Sequence, residues 1–342
     1  MKGGSRIRSR SMRRINKGIC VFAVLLGVSL AAAPVMVRAE EGALSENAMI
    51  GKSQEPSIWG GGTSSGGGAF RQGGETSSGP GDINQEDGMP AGQTETFTWD
   101  PSWPYAQYSQ IHSSSVNLYH AGNSRGIVVA VNAGHGTEGG SYVQTLCHPD
   151  GTPKVTGGST SEGATYATAV SSGTTMLDGT EEARVTLSLA LILKEKLLEH
   201  GYDVLMIRES EDVQLDNIAR TVFANQYADC HLALHYDSTE YDKGFFYMSV
   251  PDVASYRSME PVASCWPLHE ALGQSLVEGV KKAGVKVFDI GSMPMDLTQT
   301  SYSTVPSVDV EVGDRASDCS SWTQTLIAEG ILAGLDLYFE RP

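Results

Sequence analysis

Two histidines and a late glutamate stand near the ends of apolar runs, where they could bind a metal ion and move protons. His135 follows the β-branched run 126–133 and has a glycine on each side. His235 ends the apolar run 229–235, and Glu311 lies in a valine-rich segment further on. Catalytic zinc sites have three protein ligands, such as two histidines and a carboxylate, and leave the fourth position for water. A second carboxylate that does not bind the metal can then transfer protons.

Two adjacent glutamates, Glu181 and Glu182, are candidates for the carboxylate ligand. They open an apolar segment that Gly201 ends, which predicts a helix over 181–200. Thr180 is placed to cap this helix, and the helix dipole favours acids in the first turn, so both glutamates also have a purely structural explanation. Spacing alone does not choose between them or single out this set from the other acids of the chain.

A third histidine, His231, has the same strand parity as His235. Four residues of a strand span roughly 13 Å, so the two cannot bind one ion. We therefore predict that His231 is a packed or surface residue.

The elements that must position these side chains alternate between strands and helices. We predict strands over 126–133, 203–208, 229–235, 244–250 and 307–312, and helices over 181–200, 213–226, 267–283 and 322–339. This order is typical of a single α/β domain, with a largely parallel or mixed sheet flanked by helices on both faces. Ligands of such sheets bind at the carboxyl ends of the strands, where both histidines are predicted to lie.

Four short motifs occur in a fixed order along the chain. A strand runs into a Gly-His-Gly turn at 128–136, and Glu182 stands three residues before a Val-x-Leu helix start. An Ala-Asp strand ending in histidine occupies 228–235, and a Pro-x-x-x-x-Glu-x-Gly strand occupies 306–313. With these motifs, the chain from about residue 126 onward resembles the zinc-dependent N-acetylmuramoyl-L-alanine amidases of the type 3 catalytic-domain family.

The resemblance implies a catalytic domain over 123–342 that uses Zn²⁺. Its metal ligands would be His135, Glu182 and His235, and Glu311 would be the catalytic carboxylate. The substrate would be peptidoglycan, cut at the amide between the lactyl group of N-acetylmuramic acid and L-alanine. Two alternatives stay open: a catalytically silent peptidoglycan-binding or regulatory module of the same fold, and a zinc peptidase that cuts another amide of the stem peptide.

The chain departs from the family pattern at several positions near these residues. Asn132–Ala133 stands where the family has Asp-Pro, Ala233 where it has serine, and Asp237 where it has asparagine. Asp309 replaces the usual leucine and shares strand parity with Glu311, so we expect both carboxylates to face the same side. Like charges in proximity would raise the pKa of one of them. That arrangement would either tune Glu311 or indicate a site that has lost its activity.

The segment 141–179, between His135 and Glu182, is longer than the corresponding family loop. It is rich in Gly, Ser and Thr and is predicted to be an insertion beside the metal. Long loops at active sites commonly act as lids or specificity walls, and disorder is the other interpretation.

The N-terminal residues 1–39 have the pattern of a secretory signal peptide. Eight basic residues and no acid occur there, together with the apolar run 19–37 and small residues at the cleavage position. We predict export to the cell wall or medium and no stable membrane insertion after cleavage. An uncleaved anchor is the alternative, since the run is close to spanning length.

The charge of the chain excludes one class of partner. The formal net charge is −16, and removal of 1–39 leaves 16 basic against 40 acidic residues, which is about −24. A chain this acidic is repelled by nucleic acid, so DNA and RNA are not expected as partners. We expect a monomer held on the wall by specific contacts with peptidoglycan.

Between the signal and the domain, the composition predicts two further segments. Residues 40–98 are dominated by Gly, Ser, Thr, Gln and acids and are predicted to be a disordered linker. Residues 99–122 form an extended lead-in whose aromatic residues pack on the domain or contact glycan.

The chain has five cysteines, of which Cys20 lies in the signal segment. Cys147, Cys230, Cys265 and Cys319 remain, and the sequence leaves their pairing open. Cys230 fits a buried apolar thiol, and a Cys265–Cys319 bridge is one of the pairings compatible with an oxidising compartment.

Overall fold

The computed structural model describes residues 92–340, and its centre is an eight-stranded mixed sheet. The strands are β1 (Thr94–Phe97), β2 (Val116–Tyr119), β3 (Val128–Ala133), β4 (Gln144–Leu146), β5 (Tyr166–Thr168), β6 (Asp203–Met206), β7 (Cys230–Asp237), β8 (Phe245–Ser249), β9 (Val287–Pro294) and β10 (Ser307–Asp314). The sheet order is β1-β2-β6-β3-β7-β10-β8-β9, while β4 and β5 form a separate antiparallel pair. The four central strands, β6, β3, β7 and β10, are mutually parallel, so their carboxyl ends meet at one edge.

Helices cover both faces of this sheet. They are α1 (Glu182–Glu199), α2 (Asn217–Tyr227), α3 (Ala254–Arg257), α4 (Val262–Lys282), α5 (Thr298–Tyr302) and α6 (Ser321–Phe339). Helices α1, α4 and α6 share one apolar core, and α2 lies in a second core on the opposite face. The predicted α/β class, with a mixed sheet flanked by helices, is confirmed.

Strand β3 shows why the central runs lack polar alternation. Val129 and Val131 point into the core with α1, whereas Ala130 points into the core with α2. All three side chains are fully buried. A strand covered on both faces must be apolar at consecutive positions, as observed here.

The predicted elements are present, with shifted ends. The helix predicted from 213 begins at Asn217, because Asp216 caps it by accepting a hydrogen bond from the Ala219 amide at 2.7 Å. The prediction that Thr180 caps α1 is wrong. Glu181 is the capping residue without a side-chain hydrogen bond, and the Thr180 amide bonds to Asp178 instead.

The lead-in packs on the domain. Trp99 and Trp103 lie edge-on against Phe223 of α2, with ring centroids 5.7 and 5.3 Å away. Tyr105 and Tyr108 contact Tyr302 in the same manner. The range predicted as a linker ends in strand β1, and its residues 40–91, like the predicted signal 1–39, lie outside the described residues.

The four cysteines between residues 92 and 340 are free thiols, so the structure does not pair Cys265 with Cys319. Cys230 is fully buried in β7, as predicted. Of the helices described, none has both the length and the apolarity that a membrane span requires.

Candidate metal centre and active site

The three predicted metal ligands converge at the carboxyl edge of the central strands. His135 Nε2 lies 2.8 Å from Glu182 Oε1 and 3.0 Å from His235 Nδ1. His235 Nδ1 lies 3.2 Å from the same glutamate oxygen. His135 and His235 are 100 positions apart in the sequence. Together with Glu182 they offer three ligand atoms that lie within 4.8 Å of one another.

The His135 loop is held in an unusual backbone conformation by buried arginines. His135 has a φ of 64°, in the left-handed region that non-glycine residues rarely adopt. Arg220 donates hydrogen bonds to the carbonyls of Ala133 and His135, at 3.0 and 2.6 Å. Arg208 donates to the carbonyls of Ala133 and Gly134, at 3.2 and 2.9 Å. These bonds stabilise the strained turn.

The His135 ring is oriented by the end of the insertion. Its Nδ1 lies 2.8 Å from the Ser171 carbonyl oxygen, which can only accept a hydrogen bond. Nε2 lies 2.8 Å from Glu182 Oε1 and faces His235. With the proton on Nδ1, the Nε2 lone pair would be available to a metal ion.

Glu182 is buried at the start of α1 and is held by two backbone amides. Tyr236 donates to Oε1 at 3.0 Å and Thr174 donates to Oε2 at 2.8 Å. Burial would raise the pKa of Glu182, but its hydrogen bonds and charge interactions with the two histidines lower it well below the usual value. The structure places Glu181 outside this cluster, at the helix cap.

Two glycines make room for the cluster. A Cβ at Gly134 would lie 2.3 Å from His235 Cε1, so any larger residue there would displace the imidazole. A Cβ at Gly173 would lie 2.7 Å from His135 Cδ2, and Gly173 also has a φ of 83°. The backbone of the insertion at Gly173 therefore lies directly against the His135 ring.

Glu311 and Asp309 lie beside the ligands on β10, and both line the same cavity. Glu311 pairs in register with His235 of the parallel neighbour β7. Within the described residues, its buried Oε2 atom has no hydrogen-bond partner. Asp309 Oδ2 lies 3.6 Å from His235 Nε2, on the side of the ring that faces away from the other ligands.

Charge crowding shifts the pKa of these groups. Burial raises the pKa of both Asp309 and Glu311. His235 lowers the pKa of Glu311, but the negative charges of Asp309 and Glu182 raise it further. Burial lowers the pKa of His235, but Asp309, Glu182 and Glu311 together raise it to about 10. The expectation that like charges on β10 raise a carboxyl pKa agrees with this geometry.

Two departures from the family pattern have partners in the structure. Asn132 Oδ1 accepts a hydrogen bond from Arg220 at 2.9 Å. Asp237 forms an ion pair with the buried Lys243. Each of the two side chains therefore has a polar partner.

The site opens into a cavity of about 580 Å³. We define the floor of this cavity as the five residues His135, Glu182, His235, Asp309 and Glu311. They lie at the strand ends and at the start of α1. The outer wall, which we define as residues 154–160, 167–174 and 295–299, borders the floor and contacts it through Ser171 and Thr174. Both regions contribute lining residues.

Sequence reasoning missed residues that hold the ligands. Arg208, Arg220 and Ser171 were not identified as such residues. An arginine two residues after the buried strand β6 was the one available signal for Arg208, because a charge there needs partners. His231 is fully buried and lies 3.3 Å from Ser307 Oγ, which agrees with the prediction that it is a packed residue.

The donor set fits a divalent metal ion. Two imidazoles and one carboxylate are the ligand types of catalytic zinc sites, and their separations of 2.8 to 3.2 Å are close to those around a tetrahedral ion. Glu311 lines the same cavity. The arrangement can therefore hold a metal and a proton-transferring carboxylate side by side.

Solved structures with the same fold include cell-wall amidases. The N-acetylmuramyl-L-alanine amidase Ami1 from Mycobacterium smegmatis is 18% identical, with a TM-score of 0.52, over 64% of this chain and 99% of that chain. Ami1 from Mycobacterium abscessus is 20% identical, with a TM-score of 0.49, over 63% and 99% of the two chains. No curated protein matches the chain in sequence.

The family pattern described as N-acetylmuramoyl-L-alanine amidase (Amidase_3) matches residues 129–335. The match includes the three candidate ligands and Glu311. Because it spans more than half of the sequence, the chain belongs to this N-acetylmuramoyl-L-alanine amidase family.

Proposed function

We propose that the protein is an exported, zinc-dependent amidase of peptidoglycan. It cleaves the amide between N-acetylmuramic acid and the L-alanine of the stem peptide. The observation that carries this proposal is the convergence of His135, Glu182 and His235 beside the unpartnered Glu311, in a chain of this family.

His135, Glu182 and His235 would hold the ion through Nε2, Oε1 and Nδ1. A zinc ion bound there would lower the pKa of a water molecule and polarise the substrate carbonyl. Glu311 would accept the proton of the attacking water on its carboxylate. It then delivers that proton to the departing alanine nitrogen, so the C–N bond breaks and the carboxylate is regenerated.

Asp309 would support this chemistry by orienting His235. Its carboxylate lies near the imidazole nitrogen that faces away from the other ligands. Carboxylates in that position fix the ring orientation and make a ligating histidine more basic. On this account the exchange of the usual leucine for Asp309 strengthens a ligand and does not indicate lost activity.

The test is release of free stem peptide from purified cell wall, with mass spectrometry of the products. Zinc-loaded protein is expected to release peptides that begin with L-alanine, and Glu311→Gln is expected to release almost none. Cleavage inside the stem peptide would instead support the zinc peptidase. Zinc binding and retention on insoluble wall without any product would support the silent module.

Export through residues 1–39 is part of the proposal. When the full-length sequence is expressed, we expect the protein to be exported. N-terminal sequencing of the exported protein should place its first residue near residue 40. A protein that stays with the membrane and keeps residues 1–39 would support the anchor.

A further inference from the structure

The middle of the insertion between His135 and Glu182 is docked against the domain by a buried carboxylate. Asp296 lies between β9 and α5, and its side chain is fully buried. Its Oδ1 accepts hydrogen bonds from Lys154 Nζ at 2.8 Å and from the Thr156 amide at 3.2 Å. Its Oδ2 accepts from the Val155 amide at 2.7 Å and lies 3.0 Å from His148 Nε2.

Three further contacts join the same residues. The Thr156 hydroxyl contacts Oδ1, and its oxygen accepts a hydrogen bond from the Asp296 amide at 3.0 Å. Lys154 Nζ also contacts the Asp296 carbonyl. Burial would raise the pKa of the Asp296 carboxyl, but the hydrogen bonds from His148, Lys154, Thr156 and the Val155 amide lower it, so the group is charged. We name Asp296, His148, Lys154, Val155 and Thr156 the Asp296 clamp.

Apolar and backbone contacts support the clamp on either side. Val155 packs against a buried cluster that includes Val250, Tyr256 and Val262. The Met295 amide donates to the Ser249 carbonyl at 3.0 Å, which ties the segment before Asp296 to the end of β8. The insertion is thus attached to the sheet through its middle as well as through Ser171 at its end.

The clamped segments form the outer wall of the cavity, and that wall carries no unpaired charge. Its polar lining side chains include Ser159, Thr160, Thr168 and Thr298, and Met295 and Leu297 are apolar. Lys154 also lines the cavity, but its amine is paired with Asp296. The wall therefore offers hydroxyl groups beside apolar side chains, and hydroxyls can hydrogen-bond to peptide amides and sugar hydroxyls.

We propose that the Asp296 clamp makes the insertion a permanent wall of the substrate cleft, and that this wall selects extended muramyl peptides by hydrogen bonding to their neutral polar groups. The selection part rests on the proposed function. A lid that opened at this point would expose a buried carboxylate and break at least five hydrogen bonds to it, which is costly.

The clamp itself is tested by trypsin. Lys154 is the one lysine or arginine between residues 141 and 179, and it is buried in the folded protein. In Asp296→Ala, we expect cleavage after Lys154 at least about tenfold faster than in the wild type, because the released segment becomes accessible. Asp178→Asn, which changes an exposed acid of the same insertion, is the control and should stay resistant. Equal cleavage rates in Asp296→Ala and the control would overturn the clamp.

Selection by the wall is tested with two substrates on the zinc-loaded full chain. For a disaccharide tetrapeptide, Asp296→Ala should raise KM about tenfold with kcat changed less than about threefold. For muramyl dipeptide, which reaches fewer groups of the wall, KM should change less than about threefold. Asp296→Asn, which keeps the shape of the side chain, should lie between the wild type and Asp296→Ala.

Zinc content separates the outcomes. It should be one equivalent in the wild type and in both variants, since the clamp does not touch the ligands. An equal KM change for both substrates, or a loss in kcat alone, would overturn selection by the wall. If zinc-loaded wild type releases no peptide from either substrate, selection fails together with the proposed function, while the trypsin result still decides the clamp.

Discussion

The floor and the outer wall of the cavity are built in different ways. The floor lies at the ends of parallel strands and at one helix start, where the sheet positions His235 and Glu311 and two buried arginines hold the His135 turn. The outer wall consists of loops and short elements, and the Asp296 side chain joins two of them. A change in the floor should therefore alter chemistry at a fixed geometry, whereas a change in the wall should alter the geometry of binding.

This difference also separates the expected kinetic effects. On the proposed function, residues of the floor would hold the metal or move the proton, so their loss should reduce kcat or metal binding. Residues of the Asp296 clamp do not contact the candidate ligands, so their loss should raise KM instead. The predictions below test this division.

The largest effect is expected from removing a ligand histidine. His135→Ala and His235→Ala should each lose bound zinc and all measurable peptide release, because only two protein ligands remain. Metal analysis after gel filtration, beside the activity assay, checks this. His200→Ala, at the end of α1 and half-exposed, is the control and should keep both properties. A ligand variant that retains one equivalent of zinc would show that the floor is assigned wrongly.

A smaller loss is expected when the proton carrier alone is removed. Glu311→Gln should lower kcat by roughly 10² to 10⁴ and leave zinc content and KM nearly unchanged. The amide is isosteric but cannot accept the proton of the water. Steady-state kinetics and metal analysis on the same sample measure kcat, KM and zinc content. A variant with the kcat of the wild type would exclude Glu311 from proton transfer.

Asp309→Leu introduces the residue usual in the family and tests the orientation of His235. Zinc affinity should fall by about 10- to 100-fold, as is typical when the carboxylate partner of a ligating histidine is removed. Competition with a chromophoric chelator measures this on the metal-free protein. Asp309→Asn, which keeps a hydrogen-bond acceptor, should recover part of the loss. Unchanged affinity in both variants would leave Asp309 without a role toward His235.

The smallest effect is expected far from the cavity, at the sheet edge. His120 Nε2 lies 2.9 Å from Glu95 Oε1, and Nδ1 lies 3.0 Å from Asp203 Oδ2. Burial lowers the pKa of His120, but the hydrogen bonds and charges of Asp203 and Glu95 outweigh it and raise the pKa overall. A raised folded-state pKa means that the stabilisation is full below the unfolded-state pKa and is lost as the pH rises through the folded-state value.

His120→Gln should therefore cost on the order of 1 kcal/mol of unfolding free energy near pH 5.5 and less near pH 9. Urea denaturation of both proteins at the two pH values measures the difference. The zinc content and kcat should not change at either pH. A cost that grows toward pH 9 would contradict the assigned sign.

The central part of the fold could be predicted from the sequence because local patterns and burial agree there. Runs such as those of β3 and β7 are apolar at consecutive positions, and the helix patterns end at clear stop signals such as Gly201. The edges could not be predicted in the same way. Strand β9 contains Asp289 and Gly291 with positive φ, and its pattern, exposed at Ile290, is not that of a buried strand.

The candidate ligands were found because each lies at the end of a recognisable element and within a family motif. The groups that orient them were not found, since they act through backbone atoms that the sequence does not show. Ser171 holds His135 through its carbonyl, a group that every residue possesses. The Asp296 clamp joins residues about 140 positions apart in loops of low complexity, where no periodicity marks a contact.

The central claim is that the floor binds one metal ion and that Glu311 uses it to cleave the muramyl amide. Zinc titration of the metal-free full chain, followed by measurement of peptide release from purified cell wall, tests it most directly. We predict that wild type and Glu311→Gln each bind one equivalent, that activity of the wild type rises in proportion to bound zinc, and that the variant stays almost inactive. Full activity in the metal-free wild type, or activity of Glu311→Gln equal to that of the wild type, would contradict the account.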